Sequence, residues 1–559
     1  MFFRSVLTAF VALAASVSLA GPLRLATNFF MPAGRTNPVI LDAKADASGN
    51  LVTAAQADFG SGKQIVITKF TAAGVRRWSS TINTPVPVSA PGQVAGKFQI
   101  MLDGSGNTYV LSPRAGNPDY PGSSDDLLLR KINDGGATAG YLSLVRNLAD
   151  RSGKVFSVKA GQMQATRTNL TDLGLVVTAV GTDGLSSAFL LRLDGSVSGS
   201  SLNVTGFTSI DGNIQDDGRY KYTYNYAAVG LTPGGTPAAP RMRLVVSQES
   251  QLESYFESYG YRNSWVYCFE VDVDSWTTIV SEDGNSTFLG ERHGFQAEGL
   301  GSSEDQELCL VRDSGGTGYI AWLGSLFENR ELFTTSSVPY SATRVGSDWL
   351  VYGEQGGEYL LKYPASNSDP LGLYFISPEI SYAGSSLVSA RGRAYLAGGP
   401  TVGGVQGMYS SFSSEGELVY SAGQNQPFTV TTSFVVPAAN NRFWTIGKTS
   451  AGLQSVVLWR EPDYFVGIST GYAFAAESTV TLKAHLSTPA PAGGYTFNVS
   501  VSSNLQNAPR TVTVPAGASS ATFTVKVKST ATAGSATVVA RTNATYDINT
   551  AHTATFSIR

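Results

Sequence analysis

Apolar and polar positions alternate along most of this chain in short runs, each closed by a cluster of turn residues. The stretch from Asp46 to Trp78 shows the pattern most plainly. Asp46-x-x-Gly49-Asn50 predicts a tight hairpin turn, because an Asp side chain bonds its own following backbone while Gly and Asn accept left-handed geometry. Leu51–Ala54 then reads as a strand, Gln64–Phe70 alternates as a second, Ala73-Gly74 turns the chain, and Val75–Trp78 begins a third. Such a small antiparallel sheet cannot bury both faces alone, so it calls for copies of itself.

The copies are present. The turn returns as Asp103-Gly-Ser-Gly-Asn107 and as Asp283-Gly-Asn285, and an apolar residue followed by glycine ends several of the strands that follow (Val180-Gly181, Leu289-Gly290, Tyr352-Gly353, Ala397-Gly398, Ile446-Gly447). Phe70-x-x-x-Gly74-x-x-x-Trp78 is matched at the same spacing by Phe412-x-x-x-Gly416-x-x-x-Tyr420, and Ile132-x-x-x-Gly136 and Val311-x-x-x-Gly315 share its first half. Strands that follow a turn are predicted near Leu51, Thr108, Leu175, Arg243, Ser286, Trp349, Ala394 and Phe443. The spacing averages about 55 residues, above the ~40 to 50 of a four-stranded propeller blade. Outside the N-terminus no sustained 3.6-residue periodicity predicts a helix.

On these motifs the units resemble the β-propeller repeats of secreted bacterial proteins over most of residues 38 to 461. The resemblance implies an all-β chain with a propeller of seven or eight blades, and it says almost nothing about function. The fourth unit is much longer than the others, and the third and sixth have degenerate turns. A closed ring needs its last blade completed, and the last unit runs out at Val456–Trp459. Leu23–Phe30 is predicted to supply the missing strand.

From about Tyr464 the pattern becomes strict period-two alternation (Val480, Leu482, Ala484, Leu486; Tyr495, Phe497, Val499, Val501; Phe523, Val525, Val527), which predicts a β-sandwich. Thr511–Val525 is similar to the immunoglobulin-like modules that end bacterial surface proteins, which implies a spacer or adhesive element. The predicted organisation is a signal peptide over 1–20, a propeller over 21–463 and an immunoglobulin-like β-sandwich over 464–559. Arg4, the apolar run Val6–Val17 and Ser18-Leu19-Ala20 carry the signal-peptide reading. Pro22 stands where a lipidated cysteine would have to be, and no later stretch is long and apolar enough to cross a membrane. The expected location is secreted, extracellular or associated with the cell envelope.

With 42% hydrophobic and 14% charged residues, 60 glycines and 25 tyrosines among 559 residues, the composition fits turn-rich all-β cores. A net charge of −3 without a Lys/Arg cluster argues against a nucleic-acid partner. The only cysteines, Cys268 and Cys309, are expected on the same strand of consecutive units, as a disulfide or as two buried thiols.

Chemistry is sparse. His293, His485 and His552 are the only histidines, and no phosphate loop, zinc-protease helix or nucleophile elbow is present. Asp46, Asn50, Asp103 and Asn107 offer too few oxygens for calcium, which takes ~6 to 8. No metal, cofactor or catalytic residue is assigned. Glu270, Asp272 and Asp274 share one face of a strand, and with Asp125-Asp126 they are the carboxylates a glycosidase reading would use. The most unusual stretch is the fourth unit. Tyr220, Tyr222, Tyr224 and Tyr226 fall on one face of a strand, and Tyr255, Tyr259, Tyr261, Arg262 and Trp265 follow in a predicted loop. Aromatic rings with polar neighbours stack on sugars or hold peptides at low entropic cost, so these five residues are the predicted ligand-binding site; the alternative is that the tyrosines clad an insertion packed on its own blade. The expected function is non-catalytic binding or scaffolding with a glycan or protein ligand. A glycan-active enzyme is the alternative, and a structural envelope protein the third reading.

Overall fold

The structure, a computed structural model, describes residues 23–30, 34–60, 62–84, 98–165, 172–194, 202–236, 239–255, 260–272, 278–279, 286–288, 296–303, 306–312, 318–323, 328–329, 338–345, 348–354, 358–363, 372–375, 380–381, 387–390, 392–402, 405–412, 418–423, 430–439, 441–460, 464–468, 473–486, 490, 492–542 and 551–559. It is all-β, built mainly from four-stranded antiparallel sheets of the kind that make propeller blades.

The opening unit forms the first sheet: Thr36–Ala45, Leu51–Phe59, Gly62–Phe70 and Arg76–Thr84, in that order. Its first turn owes its shape to Asp46. Asn50 donates to both carboxylate oxygens, through N to Oδ1 and Nδ2 to Oδ2 at 2.9 Å each, and Gly49 takes φ of 83°. Asp103 holds Asn107 in the same way, and Tyr109 donates to its Oδ2 as well. These carboxylates are therefore occupied by their own turns.

Among the described residues eight sheets precede Tyr464, six of them four-stranded. The first strand of each touches that of the next, and in the fourth this part is taken by the long strand Tyr220–Thr236. The eighth sheet returns to the first through Val430–Ala438 against Thr36–Ala45, so the contacts form a cycle. The eighth sheet is completed as expected: Leu23–Phe30 pairs antiparallel with Gln454–Arg460. All but one of the predicted turn-following positions fall on a second main strand of a sheet. The exception is Ser286, whose short strand Ser286–Phe288 pairs with Gly260–Asp272 of the fourth sheet, while the fifth sheet starts at Gln296–Ser303 and Gln306–Arg312. The shared Asp-Gly-Asn turn misled here, because turn chemistry marks a strand start and not the sheet it joins.

Neighbouring sheets are tied in two ways. At the innermost strands a polar side chain reaches the backbone of the next sheet. Asp42 Oδ2 accepts from Ile100 N at 2.8 Å, Gln99 bonds both N and O of Met163, Gln162 Oε1 accepts from Leu231 N, and Ser341 Oγ accepts from Leu387 N. Asp42 and Ser341 directly follow bulges, which turn an extra residue toward the neighbour. Replacing Asp42 by Ala should cost about 1–3 kcal/mol, since it leaves the buried Ile100 N–H unpaired. Asp42→Asn, which keeps an acceptor, should cost less, and equal melting temperatures for the wild type and Asp42→Ala would contradict the tie.

At the other tie the opening unit serves as both plug and socket. Lys69 and Trp78 bond the second sheet at Gly106 O and Asp134 O, while Trp444, Arg442 and Asn28 of the eighth sheet bond Gly49 O, Ala72 O and Gly74 O of the first. Gly74, at φ of 86°, lets the closing strand approach: a Cβ there would stand 2.3 Å from that of Ala26. Gly136, its counterpart in the second sheet, lies under the Trp78 ring.

Among the described residues one helix departs from the sequence expectation. Leu144–Ser152 links the second and third sheets, capped by the Ser143 side chain and by Gly153 at φ of 71°, and buries Leu144, Val145, Leu148 and Ala149. From Tyr464 onward two further sheets enclose one core containing Leu482, Phe497, Val514, Val525 and Val538, in the predicted period-two register. Tyr464–Ile468 touches Leu418–Gly423 of the seventh sheet, and Arg393 Nη2 donates to Leu486 O at 3.3 Å.

Candidate functional site

Successive strands run in opposite directions, so the two ends of each sheet differ. Turns such as Asp46–Asn50 and Thr71–Val75 close one end. The other end carries the links between second and third strands and between sheets. The fourth sheet grows out of this second end. Tyr220–Thr236 and Ala239–Ser254 are 17 and 16 residues long, against about nine for the strands of the first sheet, and Gly260–Asp272 follows them outward. Asn213–Asp216 adds a short edge strand. The surplus forms an arm of paired strands.

The root of the arm is held by the third sheet. Ser186 N donates to Asn225 Oδ1, Ser186 Oγ to Tyr226 O, and Ala228 N to Thr178 Oγ1, each at 2.8 Å. A bulge between Ala228 and Gly230 separates this outer part from the inner half, where Leu231, Met242 and Leu244 pack on Val176 and Leu190. Tyr226 is the last tyrosine bound into that core: Gln248 Nε2 donates to its hydroxyl at 2.9 Å, and burial pushes its pKa up.

Beyond Tyr226 the row continues half-buried. The Tyr224 and Tyr222 rings lie nearly parallel, at 11°, with centroids 6.4 Å apart, Tyr220 follows at 6.4 Å with a 57° tilt, and the Arg219 guanidinium lies 5.1 Å over the Tyr220 ring. Strand register shows what shares this face. Tyr222 is opposite Gln215 and Leu252, Tyr224 opposite Asn213 and Ser250, and Tyr226 opposite Gln248. One strand further, Leu252, Ser250 and Gln248 pair with Tyr261, Asn263 and Trp265. Every one of these positions is aromatic, aliphatic, amide or hydroxyl. The charged strand positions Asp216, Lys221, Glu249, Glu253 and Arg262 fall on the alternate face in the same register, whereas Asp217 and Arg219, in the turn at the tip, lie beside Tyr220, whose N donates to Asp217 Oδ1 at 2.6 Å.

The four sequence-predicted site residues that are described are accordingly separated. Tyr261 and Trp265 hold positions on the tyrosine face, and Arg262 holds one on the charged face. Tyr255 is 54% exposed, but its hydroxyl is committed to Asp216 Oδ2 at 2.7 Å, which braces the tip of the arm. That bond raises the Tyr255 pKa and lowers that of Asp216. Tyr259 lies outside the described residues. The stretch read as a loop is strand from Gly260 onward.

The carboxylates considered for catalysis are dispersed. Glu270 and Asp272 have Arg243 and Arg241 as cross-strand partners at the far end of the sheet from the arm, and Asp274 lies outside the described residues. Asp125 pairs with Lys159. Asp126 is 1% exposed and accepts from Ser143 Oγ and Val145 N at the start of the helix; burial pushes its pKa up. Cys268 sits on the third long strand of the fourth sheet and Cys309 on the second strand of the fifth, not on equivalent strands. His293 falls outside the described residues. Among the described residues no group of three or more His, Cys, Asp or Glu is placed to hold a metal ion, and no helix is long and apolar enough to cross a membrane.

Sequence reasoning missed two other open aromatics among the described residues, Tyr141 and Phe59. Phe59, 45% exposed at the end of the second strand of the first sheet, carries the Arg35 guanidinium 5.1 Å over its ring, and Arg35 Nε donates to Gln64 Oε1. Hairpin register brings these residues together, so spacing alone gave no signal.

No family model matches the chain, and no curated protein matches it. Among solved structures, the BP39L lectin from Burkholderia pseudomallei is 12% identical with a TM-score of 0.37, spanning 70% of this chain and 99% of that one. A eukaryotic initiation factor is 9% identical with a TM-score of 0.34, spanning 78% and 93%. A mutant of AofleA from Arthrobotrys oligospora is 10% identical with a TM-score of 0.28, spanning 63% and 90%. These likenesses are too slight to carry any property over to this chain.

Proposed function

We propose that this chain is a secreted, non-catalytic carbohydrate-binding protein: an eight-bladed propeller that holds its ligand on the arm of the fourth blade, with an immunoglobulin-like sandwich as spacer. One observation carries the reading. The outer part of a rigidly rooted arm gathers Tyr220, Tyr222 and Tyr224, with the positions of Tyr261 and Trp265, onto a single face. Aromatic rings present large, low-entropy surfaces to the C–H faces of sugars, while amides and hydroxyls beside them meet sugar hydroxyls. The reading is non-catalytic because none of the described strand positions on that face is acidic and Asp217, in the turn at its tip, already accepts from Arg219 N and Tyr220 N, whereas glycoside hydrolysis needs two carboxylates flanking the bond. The signal-peptide pattern of residues 1–20 supports secretion.

A glycan array read with the wild type and with Tyr222→Ala/Tyr224→Ala is the test. The expected result is binding that the double variant loses while its melting temperature stays within about 2 °C, as for a surface change. Binding that survives the double substitution, or no glycan binding at all, rejects the site. Release of new reducing ends from a bound glycan rejects the non-catalytic reading.

A further inference from the structure

The segregation of charge on the arm goes further than the carbohydrate-binding reading on which it rests. We propose that the tyrosine face is a track for an uncharged, extended polysaccharide chain, lying along the strand across Tyr220, Tyr222 and Tyr224. A site for acidic sugars would need Arg or Lys beside the rings, because a carboxylate or sulfate stripped of water must be paired. Arg219 lies over Tyr220 at the outer end of the row, and along Tyr222 and Tyr224 the register puts Lys221 and Arg262 on the opposite face, with Gln215, Asn213, Ser250 and Asn263 at the flanking positions. Amides donate and accept at once, which suits neighbouring sugar hydroxyls of mixed polarity.

The geometry argues for a chain over a single sugar. The rings are spaced evenly, 6.4 Å and 6.4 Å, along one strand, and Tyr222 and Tyr224 are nearly parallel at 11°. The inner end of the row is closed, since Tyr226 is bonded to Gln248 and packed against the core. Outward from Tyr224 the rings follow in line to Tyr220, over which the Arg219 guanidinium lies. A ligand that uses every platform has to be extended. One ring alone covers only one face of a single sugar, which leaves that sugar weakly held.

The experiment is calorimetric titration of the full chain with glucose and N-acetylglucosamine oligomers from monosaccharide to hexasaccharide, and with polygalacturonate as the acidic comparison. Affinity should rise with chain length until the three rings are spanned, then level off, and should be insensitive to salt. Tyr222→Ala should weaken hexasaccharide binding about tenfold, equivalent to about 1.4 kcal/mol, and Lys221→Ala on the other face should leave it unchanged, with melting curves confirming that both variants are folded. A monosaccharide that binds as tightly as the hexasaccharide overturns the track. Tighter, salt-dependent binding of polygalacturonate overturns the neutral specificity. Either result leaves the carbohydrate-binding reading standing, whereas no binding of any saccharide, here and on the array, overturns both.

Discussion

Removal of Leu23–Phe30 is expected to lower the melting temperature by on the order of 10 °C and to make the protein self-associate. The strand supplies the outer edge of the eighth sheet, paired from Leu23 with Arg460 to Phe30 with Gln454. Ala26 and Phe30 pack on the core shared by the first and eighth sheets, where the Phe30 ring lies 5.8 Å from that of Phe70. Phe29 packs on the core between the seventh and eighth sheets; partial burial of Phe29 and Phe30 is worth about 1–2 kcal/mol each, and the ladder bonds add about 1 kcal/mol apiece. Asn28 also bonds Gly74 O of the first sheet, so the strand holds the ring closed as well as finishing a sheet. A synthetic peptide of residues 21–31 added to the truncated protein should restore part of the lost stability. Unchanged melting on truncation would show that the cycle of sheets does not depend on this closure.

The sequence made this strand legible because a repeat that stops one strand short states what it lacks. Turn residues were equally legible: Asp46 and Asp103 form the bonds that their spacing to Asn50 and Asn107 implies. Their second use was not. The backbones of Gly49, Ala72 and Gly106 in these turns are also the acceptors that hold neighbouring sheets, and no local pattern records what approaches from another sheet. The helix Leu144–Ser152 did leave a signal in its Ser143 cap, its Gly153 stop and its apolar positions 144, 145, 148 and 149. Nine residues within a strand-rich chain are too few to stand out as a period. At the arm, alternation showed that four tyrosines share a face, but only the pairing of Tyr220–Thr236 with Ala239–Ser254, and of that strand with Gly260–Asp272, tells which distant residues join them. A shift of one residue in either pairing would exchange Tyr261 and Trp265 for Arg262 and Ser264.

Removing the carboxylate of Asp134 should destabilise the protein more than removing the lysine it serves. Lys69 is 1% exposed, and its ammonium donates to Asp134 Oδ1 at 2.6 Å and to Gly106 O at 2.9 Å. Asp134 is 40% exposed and also pairs with Arg77 at 2.7 Å. Asp134→Ala strands a buried cation on a single carbonyl. The usual cost of breaking a buried pair, about 3–5 kcal/mol, falls to about 2–3 kcal/mol here because water reaches the open side of Asp134. Lys69→Met, which removes the buried charge at similar volume and leaves Asp134 with Arg77 and solvent, should cost less, and Asp134→Asn should lie between the two. The hydrogen bond from Lys69 holds the Asp134 pKa below the ordinary carboxylate range. Its contribution is therefore complete above the unfolded pKa, near 3.9, and is lost as pH falls through the lower folded value. The gap in melting temperature between the wild type and Asp134→Ala should accordingly be widest near pH 7 and shrink below about pH 4. A larger loss for Lys69→Met than for Asp134→Ala, or a gap that does not change with pH, would mean that the pair tying the first two sheets is held by packing and not by charge.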